Sequence, residues 1–226
     1  MYFRSQYENY KFNIVRNSNL YLVSLVLVAI LGGLLFGYDT AVISGAEQAL
    51  QKHLGLNAFW HGVTASSALI GCVIGGAISG VCASRMGRRN SLRLSAVLLF
   101  LSALGSYYPE FIFLRKRGIL HFSLILAFNF YRILGGVGVG LASAISPMYI
   151  AEVAPSEIRG KLVSCNQFAV IFGMLVVYFV NYMIKDGMTE EVLVSEGWRK
   201  MFVSEAYPAA VFGILLFFVL RHLVIW

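Results

Sequence analysis

A chain of 226 residues that is 58% hydrophobic and only 13% charged, with a mean hydropathy of +0.74, carries too little polar surface for a soluble domain, so most of it belongs in lipid. The formal charge of +7 would suit a nucleic-acid binder, but most charges sit in short gaps between apolar runs, where they orient membrane helices. Cys72, Cys82 and Cys165 fall singly inside apolar segments, and His53, His61, His121 and His222 are scattered, so no metal site, disulfide or cofactor is expected.

Residues 1–19 mix polar and aromatic side chains, and the apolar run that follows leads into G-G-L-L-F-G-Y-D rather than a small-residue cleavage site. They read as a cytoplasmic N-terminal segment. A membrane-spanning helix needs roughly 20 mainly apolar residues. Six segments qualify, at about 20–46, 62–83, 93–109, 120–146, 161–184 and 201–220, which predicts an all-α membrane protein. The third is the shortest, and the fourth and fifth are interrupted only by Arg132, Asn166, Gln167 and Asn181.

An even number of spans puts both termini on one side. Arg4, Lys11, Arg16, Arg85, Arg88, Arg89, Arg93, Arg159, Lys161 and Arg221 then share a face, and Lys52, Arg115, Lys116, Arg117, Lys185, Arg199 and Lys200 share the other. The first set is larger and denser, which places both termini in the cytoplasm. Gly71, Gly75, Gly76 and Gly80 make two overlapping G-x-x-x-G steps in the second span, and Gly135, Gly136, Gly138 and Gly140 crowd the fourth. Their spacing is not that of a dinucleotide loop and no strand precedes them, so close helix packing in lipid is the expectation.

Two ionisable residues, Asp39 and Arg132, stand deep inside spans, where charges are costly and normally pair or line a polar cavity. At 1.5 Å per residue both lie roughly 16–18 Å below the outer surface, a depth that permits contact. Arginine stays charged and favours an ionised partner, so protonating Asp39 would release Arg132 and create a two-state element. The alternative is a fixed ion pair that never titrates. An enzyme is disfavoured, because no nucleophile–base pair, metal cluster or phosphate loop stands out.

The segments G-G-L-L-F-G-Y-D-T-A-V-I-S-G (32–45), G-V-C-A-S-R-M-G-R-R (80–89), Y-R-I-L-G-G-V-G-V-G (131–140), P-M-Y-I-A-E-V-A-P-S-E-I-R-G (147–160) and N-Q-F (166–168) together resemble the sugar porter family of the major facilitator superfamily, over nearly all of residues 20–218. The resemblance implies that the six helices form the amino-terminal half of a twelve-helix fold in the inner (plasma) membrane. It implies proton-coupled transport of a sugar, a pentose or hexose of the D-xylose kind, by alternating access. By the same resemblance Asp39 would be the proton-coupling carboxylate and Arg132 its partner. Gln167 would hydrogen-bond sugar hydroxyls and Phe36 would pack on the sugar, although helix glue and ordinary packing are the plain alternatives. Arg85, Arg88, Arg89, Glu152 and Arg159 would form a cytoplasmic charge network that latches the outward-facing state, or the arginines would serve orientation alone.

Two positions depart from the family pattern: Ser84 stands where an acidic residue is usual, and Met174 where some members carry a second glutamine, which weakens the xylose preference. The last residues, 221–226, also depart. The family continues approximately V-P-E-S-P-R-W-L, and Leu220–Trp226 can be written in codons that, read one base earlier, spell P-E-A-P-R-Y-L. The expectation is therefore a frame shift in a longer coding sequence and a chain that does not transport alone. Partners would be a sugar, protons, the lipid bilayer and a second six-helix unit, either the missing C-terminal half or a second copy in a homodimer, and no nucleic acid. A sugar-sensing or binding scaffold remains the reading from another class.

Overall fold

The computed structural model describes residues 2–109 and 120–219, with side chains placed for 26–109 and 124–217. Among them there is no strand. The expected positions of Arg115, Lys116, Arg117, Arg221 and the 221–226 tail, and the side chains of Arg4, Lys11 and Arg16, lie outside what is described.

Helix α1 runs from Tyr2 to Leu54, well beyond the expected 20–46 at both ends. No glycine or proline occurs before Gly32, so nothing interrupts the helix where the apolar run begins. Its apolar stretch is Val26–Leu54. The chain leaves α1 at Gly55, whose φ of +56° suits a residue without a Cβ. Helix α2 (Ala58–Arg85) is capped by Asn57, whose side chain accepts the Trp60 N–H at 2.9 Å.

Gly87, at φ +80°, turns the chain directly into α3 (Gly87–Tyr107), which starts six residues before the expected 93. Arg88, Arg89 and Arg93 mimic a polar gap by composition, yet they sit on the first turns of a continuing helix. The heads of Arg88 and Arg93 find partners at the end of the bundle. Arg88 meets Glu152 at 2.8 Å, and Arg93 reaches the carbonyls of Leu216 and Phe217 at 3.5 and 3.4 Å. A row of small buried residues, including Ser91, Ser95, Ser102 and Ser106, faces inward from α3.

Helices α4 (Leu120–Val153) and α5 (Arg159–Asp186) follow. The sixth crossing is built in pieces: α6 (Glu190–Val192), a π-helical turn over Leu193–Gly197, α7 (Trp198–Val203) and α8 (Ala206–Val219). Among the described residues five stretches are long and apolar enough to cross a membrane, and α3 with its arginines is a further helix of the bundle. The break at Ser204 and Glu205 has a local cause. Pro208 has no N–H to give Ser204, so the bonds around it shorten to three-residue steps, from Tyr207 to Ser204 and from Glu205 to Phe202.

Two glycine-mediated pairings set the bundle. A Cβ at Gly71 or Gly75 would fall on the α4 backbone at Ile133 and Val137, and one at Gly136 or Gly140 on the α2 backbone at Ala68 and Cys72. Helix α1 meets α5 in the same way, with Gly37 against Val170 and Gly173 against Leu34. Of the two expected G-x-x-x-G steps in α2, only Gly71–Gly75 packs inside the bundle; Gly76 and Gly80 face open space. Around this frame one apolar cluster gathers at Leu92, Leu141, Ile145 and Phe212, and a second at Val42, Phe128, Trp198 and Phe202.

The charges divide between two ends. Contacts of Arg88 with Glu152, and of Arg93 with Leu216 and Phe217, join the start of α3 to the ends of α4 and α8. At the opposite end Lys52 meets Glu190 at 2.7 Å, and Arg199 donates to the Tyr107 carbonyl at 3.1 Å.

Candidate functional site, a buried carboxylate–arginine cluster

Helical spacing puts Phe36, Asp39 and Ile43 on one face of α1. The α2–α4 glycine contacts bring Arg132, on α4, up to that face. The Arg132 guanidinium donates to Asp39 Oδ1 at 2.5 Å and reaches the Asp39 carbonyl at 3.4 Å. Each side chain is only 2% exposed. The Phe202 ring lies 5.1 Å from the guanidinium carbon, adding a cation–π face in place of water.

A third ionisable residue completes the cluster, and the sequence reading did not include it. Glu205 is 1% exposed, within electrostatic reach of Asp39 and Arg132, and its Oε1 is buried without a hydrogen-bond partner. It is delivered there by the break before α8, and the neighbouring Ser204 hydroxyl bonds the Tyr38 hydroxyl at 2.7 Å, tying that break to α1. The sequence held only weak signals for it: an acid four residues after the start of an apolar span, and a proline three residues later. Two carboxylates beside one guanidinium would leave a net buried charge, which a single proton on either carboxyl cancels. With one such proton, Asp39, Glu205 and Arg132 together are neutral, which is how a bundle holds three ionisable groups away from water.

A cleft of about 120 Å³ opens onto this cluster, lined among others by Phe36, Asp39, Thr40, Cys72 and Arg132. Phe36, Asp39 and Arg132 thus share one wall. Gln167 does not line it; on α5 it points outward and is exposed, next to Asn166, which is buried against Gly33. Of the two departures, Ser84 is exposed and bonds back to the Val81 carbonyl at 3.0 Å, and Met174 packs against the apolar cluster around Val42 and Trp198. Among the described residues of the charge network Arg88 and Glu152 form an ion pair at 2.8 Å, with Arg88 also donating to the Ala83 carbonyl at 3.1 Å. Arg159 turns to the Ala154 carbonyl at 3.4 Å, and Arg85 is exposed.

The model of the sugar (and other) transporter family matches residues 25–221. The chain belongs to that family. It is 52% identical over 210 residues to the D-xylose-proton symporter of Escherichia coli, covering 87% of this chain and 43% of the relative. It is 39% identical over 204 residues to the arabinose-proton symporter of Bacillus subtilis, covering 90% of this chain and 41% of that one. The structure superposes on the proton:xylose symporter XylE bound to 6-bromo-6-deoxy-D-glucose with a TM-score of 0.82 at 49% identity, over 88% of this chain and 45% of XylE. The fold is therefore the amino-terminal half of a major facilitator bundle, and the chain is a multi-pass membrane protein. It spans less than half the length of these relatives.

Proposed function

We propose that the chain forms one wall of a proton-coupled sugar carrier that works by alternating access together with a second six-helix unit, the carboxyl-terminal half or another copy. The observation that carries this is the buried ion pair of Asp39 and Arg132 joined by Glu205 and opening onto a cleft. A neutral cluster of this kind has one obvious response to an added proton. Both carboxyls become uncharged, Arg132 loses its counter-ion, and the contact between α1 and α4 loosens. Asp39 is the proton-coupling carboxylate, Arg132 its partner, and Glu205 the group that sets the resting proton count.

Phe36 supplies an apolar face for the C–H side of a sugar ring, and Gln167 an amide that both donates and accepts. That Gln167 is exposed here fits a residue facing a cavity whose other wall is the second unit. Arg88–Glu152 is the core of a latch in which Arg85, Arg89 and Arg159 take part on closure of that end. This basic end, with both termini, faces the cytoplasm of the inner (plasma) membrane. The names of the relatives, symporters of D-xylose and arabinose, support a pentose or hexose as cargo.

The test is sugar-driven alkalinisation of the medium around vesicles holding the chain with its second half. Asp39→Asn should abolish uphill accumulation while leaving sugar counterflow. Accumulation undiminished by that substitution would sink the coupling role.

A further inference from the structure

The break before α8 is fastened to α1 by a bond that has no part in the proton count. The Tyr38 and Ser204 hydroxyls lie 2.7 Å apart, and the Ser204 proton already goes to the Met201 carbonyl at 2.5 Å. Tyr38 is therefore the donor of the first bond. The two bonds make a one-way chain from the α1 phenol through Ser204 to the α7 backbone. Each end of the chain has a physical reason. In an unbroken helix the Met201 carbonyl would take the Glu205 N–H, which here goes to the Phe202 carbonyl at 3.2 Å, so the Ser204 hydroxyl takes that place. Tyr38 is only 3% exposed, so losing Ser204 would strand a buried hydroxyl.

The place of this bond gives it a task. Tyr38 precedes Asp39 and Ser204 precedes Glu205 in the chain, so the bond joins the two carboxyl-bearing turns through their neighbours. The residues flanking the break both attend Arg132: Phe202 covers its guanidinium at 5.1 Å, and Glu205 lies within its electrostatic reach. Those contacts draw the break toward α4. Apolar packing does not choose between α4 and α1, since Trp198 and Phe202 share one cluster with Phe128 of α4 and Val42 of α1. The Tyr38–Ser204 bond does choose, because it ties the break to α1 alone. Neither residue lines the cleft beside Asp39, so the bond is not a sugar contact.

We infer that Tyr38, through Ser204, makes α1 and the sixth crossing move as one body in the coupling step, and so is a positioning residue for it. When a proton frees Arg132 from Asp39, this latch keeps Glu205 and the break beside Asp39 while α4 parts from them. Without the latch the break can follow Arg132, and protonation no longer separates the same two bodies. The inference rests on the carrier reading, and its test tells the two apart.

On the chain alone in lipid nanodiscs, amide exchange across 201–209 should quicken about two- to tenfold in Tyr38→Phe, the weight of one neutral hydrogen bond, with α2 and α5 unaffected. In vesicles holding the chain with its second half, Tyr38→Phe should lower uphill accumulation by a similar factor. The half-saturating concentration for sugar counterflow should stay that of the parent. Ser204→Ala should do the same, the double variant no more than either, and Ser204→Thr, which keeps the hydroxyl, should behave as the parent. Unchanged exchange at the break, unchanged accumulation, effects that add in the double variant, or accumulation and counterflow falling together overturn the inference. Asp39→Asn is run alongside. Accumulation lost there but kept in Tyr38→Phe removes the latch alone, and accumulation kept in Asp39→Asn removes the coupling reading and the latch with it.

Discussion

Arg132 holds its place through the Asp39 carboxylate and the Phe202 ring, so its removal leaves buried negative charge with nothing opposite. Breaking a buried pair from one side costs about 3–5 kcal/mol, whereas removing both charges is often close to neutral. Arg132→Met should therefore lower the melting point of the chain in detergent markedly, and Asp39→Asn/Arg132→Met should recover most of the loss. A double variant as unstable as the sum of the two single ones would mean that the pair contributes nothing by pairing. Asp39 and Arg132 stood out in the sequence because a charge in the middle of a long apolar run must pair or line a polar cavity. Glu205 did not, because it lies near the start of its span beside Arg199 and Lys200, where charges are ordinary. Only the break before α8 and the Tyr38–Ser204 bond carry it inward to Asp39. Nor does spacing say which way Gln167 turns, since the neighbouring Asn166 is equally polar and takes the buried face against Gly33.

The bundle is held by helix pairs whose backbones touch. Gly71 and Gly136 are the sites where added volume meets main chain rather than a movable side chain. Gly71→Leu or Gly136→Leu should cost at least the roughly 1–3 kcal/mol of an overpacked core, read as a lower melting point, because neither α2 nor α4 can yield locally. A stable Gly136→Leu variant would show that α2 does not approach α4 this closely. At the opposite end, Lys52 straps the end of α1 to the start of α6. The Lys52 ammonium, first by hydrogen bond and then by charge, holds the Glu190 carboxyl below the usual glutamate range. A depressed carboxylate contributes fully above its ordinary pKa, about 4.3, and loses that contribution as pH falls through the lowered value. Spin labels on α1 and α6 should thus report a constant separation through neutral pH and a wider one only in acid. Glu190→Gln should show the wider distribution at every pH. The order of the helices was legible from apolar run lengths. Their ends were not, because hydropathy registers lipid and not helix: α1 continues through polar residues that contain no helix breaker, and α3 begins among arginines of which Arg88 and Arg93 reach partners at the bundle end.

At the scale of the molecule, two faces have no partner among the described residues. Helices α2 and α5 each bury only 28% of their apolar window, against 61% for α1 and α4. Along α2 the open face carries Val73, Ile74 and Val81 together with Gly76 and Gly80, where a Cβ would meet nothing. Along α5 it carries Ile171, Phe172, Tyr178 and Phe179. Lipid tails would solvate the large side chains, but they gain nothing from glycine, which is useful where a second backbone comes close. On the proposed two-unit carrier the two G-x-x-x-G steps of α2 divide the labour: Gly71–Gly75 builds the bundle, and Gly76–Gly80 is the step that would receive the second unit. Gly76→Leu/Gly80→Leu should leave the melting point of the chain alone unchanged, since the added side chains enter open space. The same variant should weaken co-purification with a tagged carboxyl-terminal half, or with a second tagged copy, and reduce sugar uptake in step. A drop in melting point would place these glycines inside the bundle. Unchanged association and uptake would mean that α2 meets the second unit elsewhere. Which tagged partner is retained by the parent chain then decides whether the wall facing Asp39 is the other half or a copy of this one.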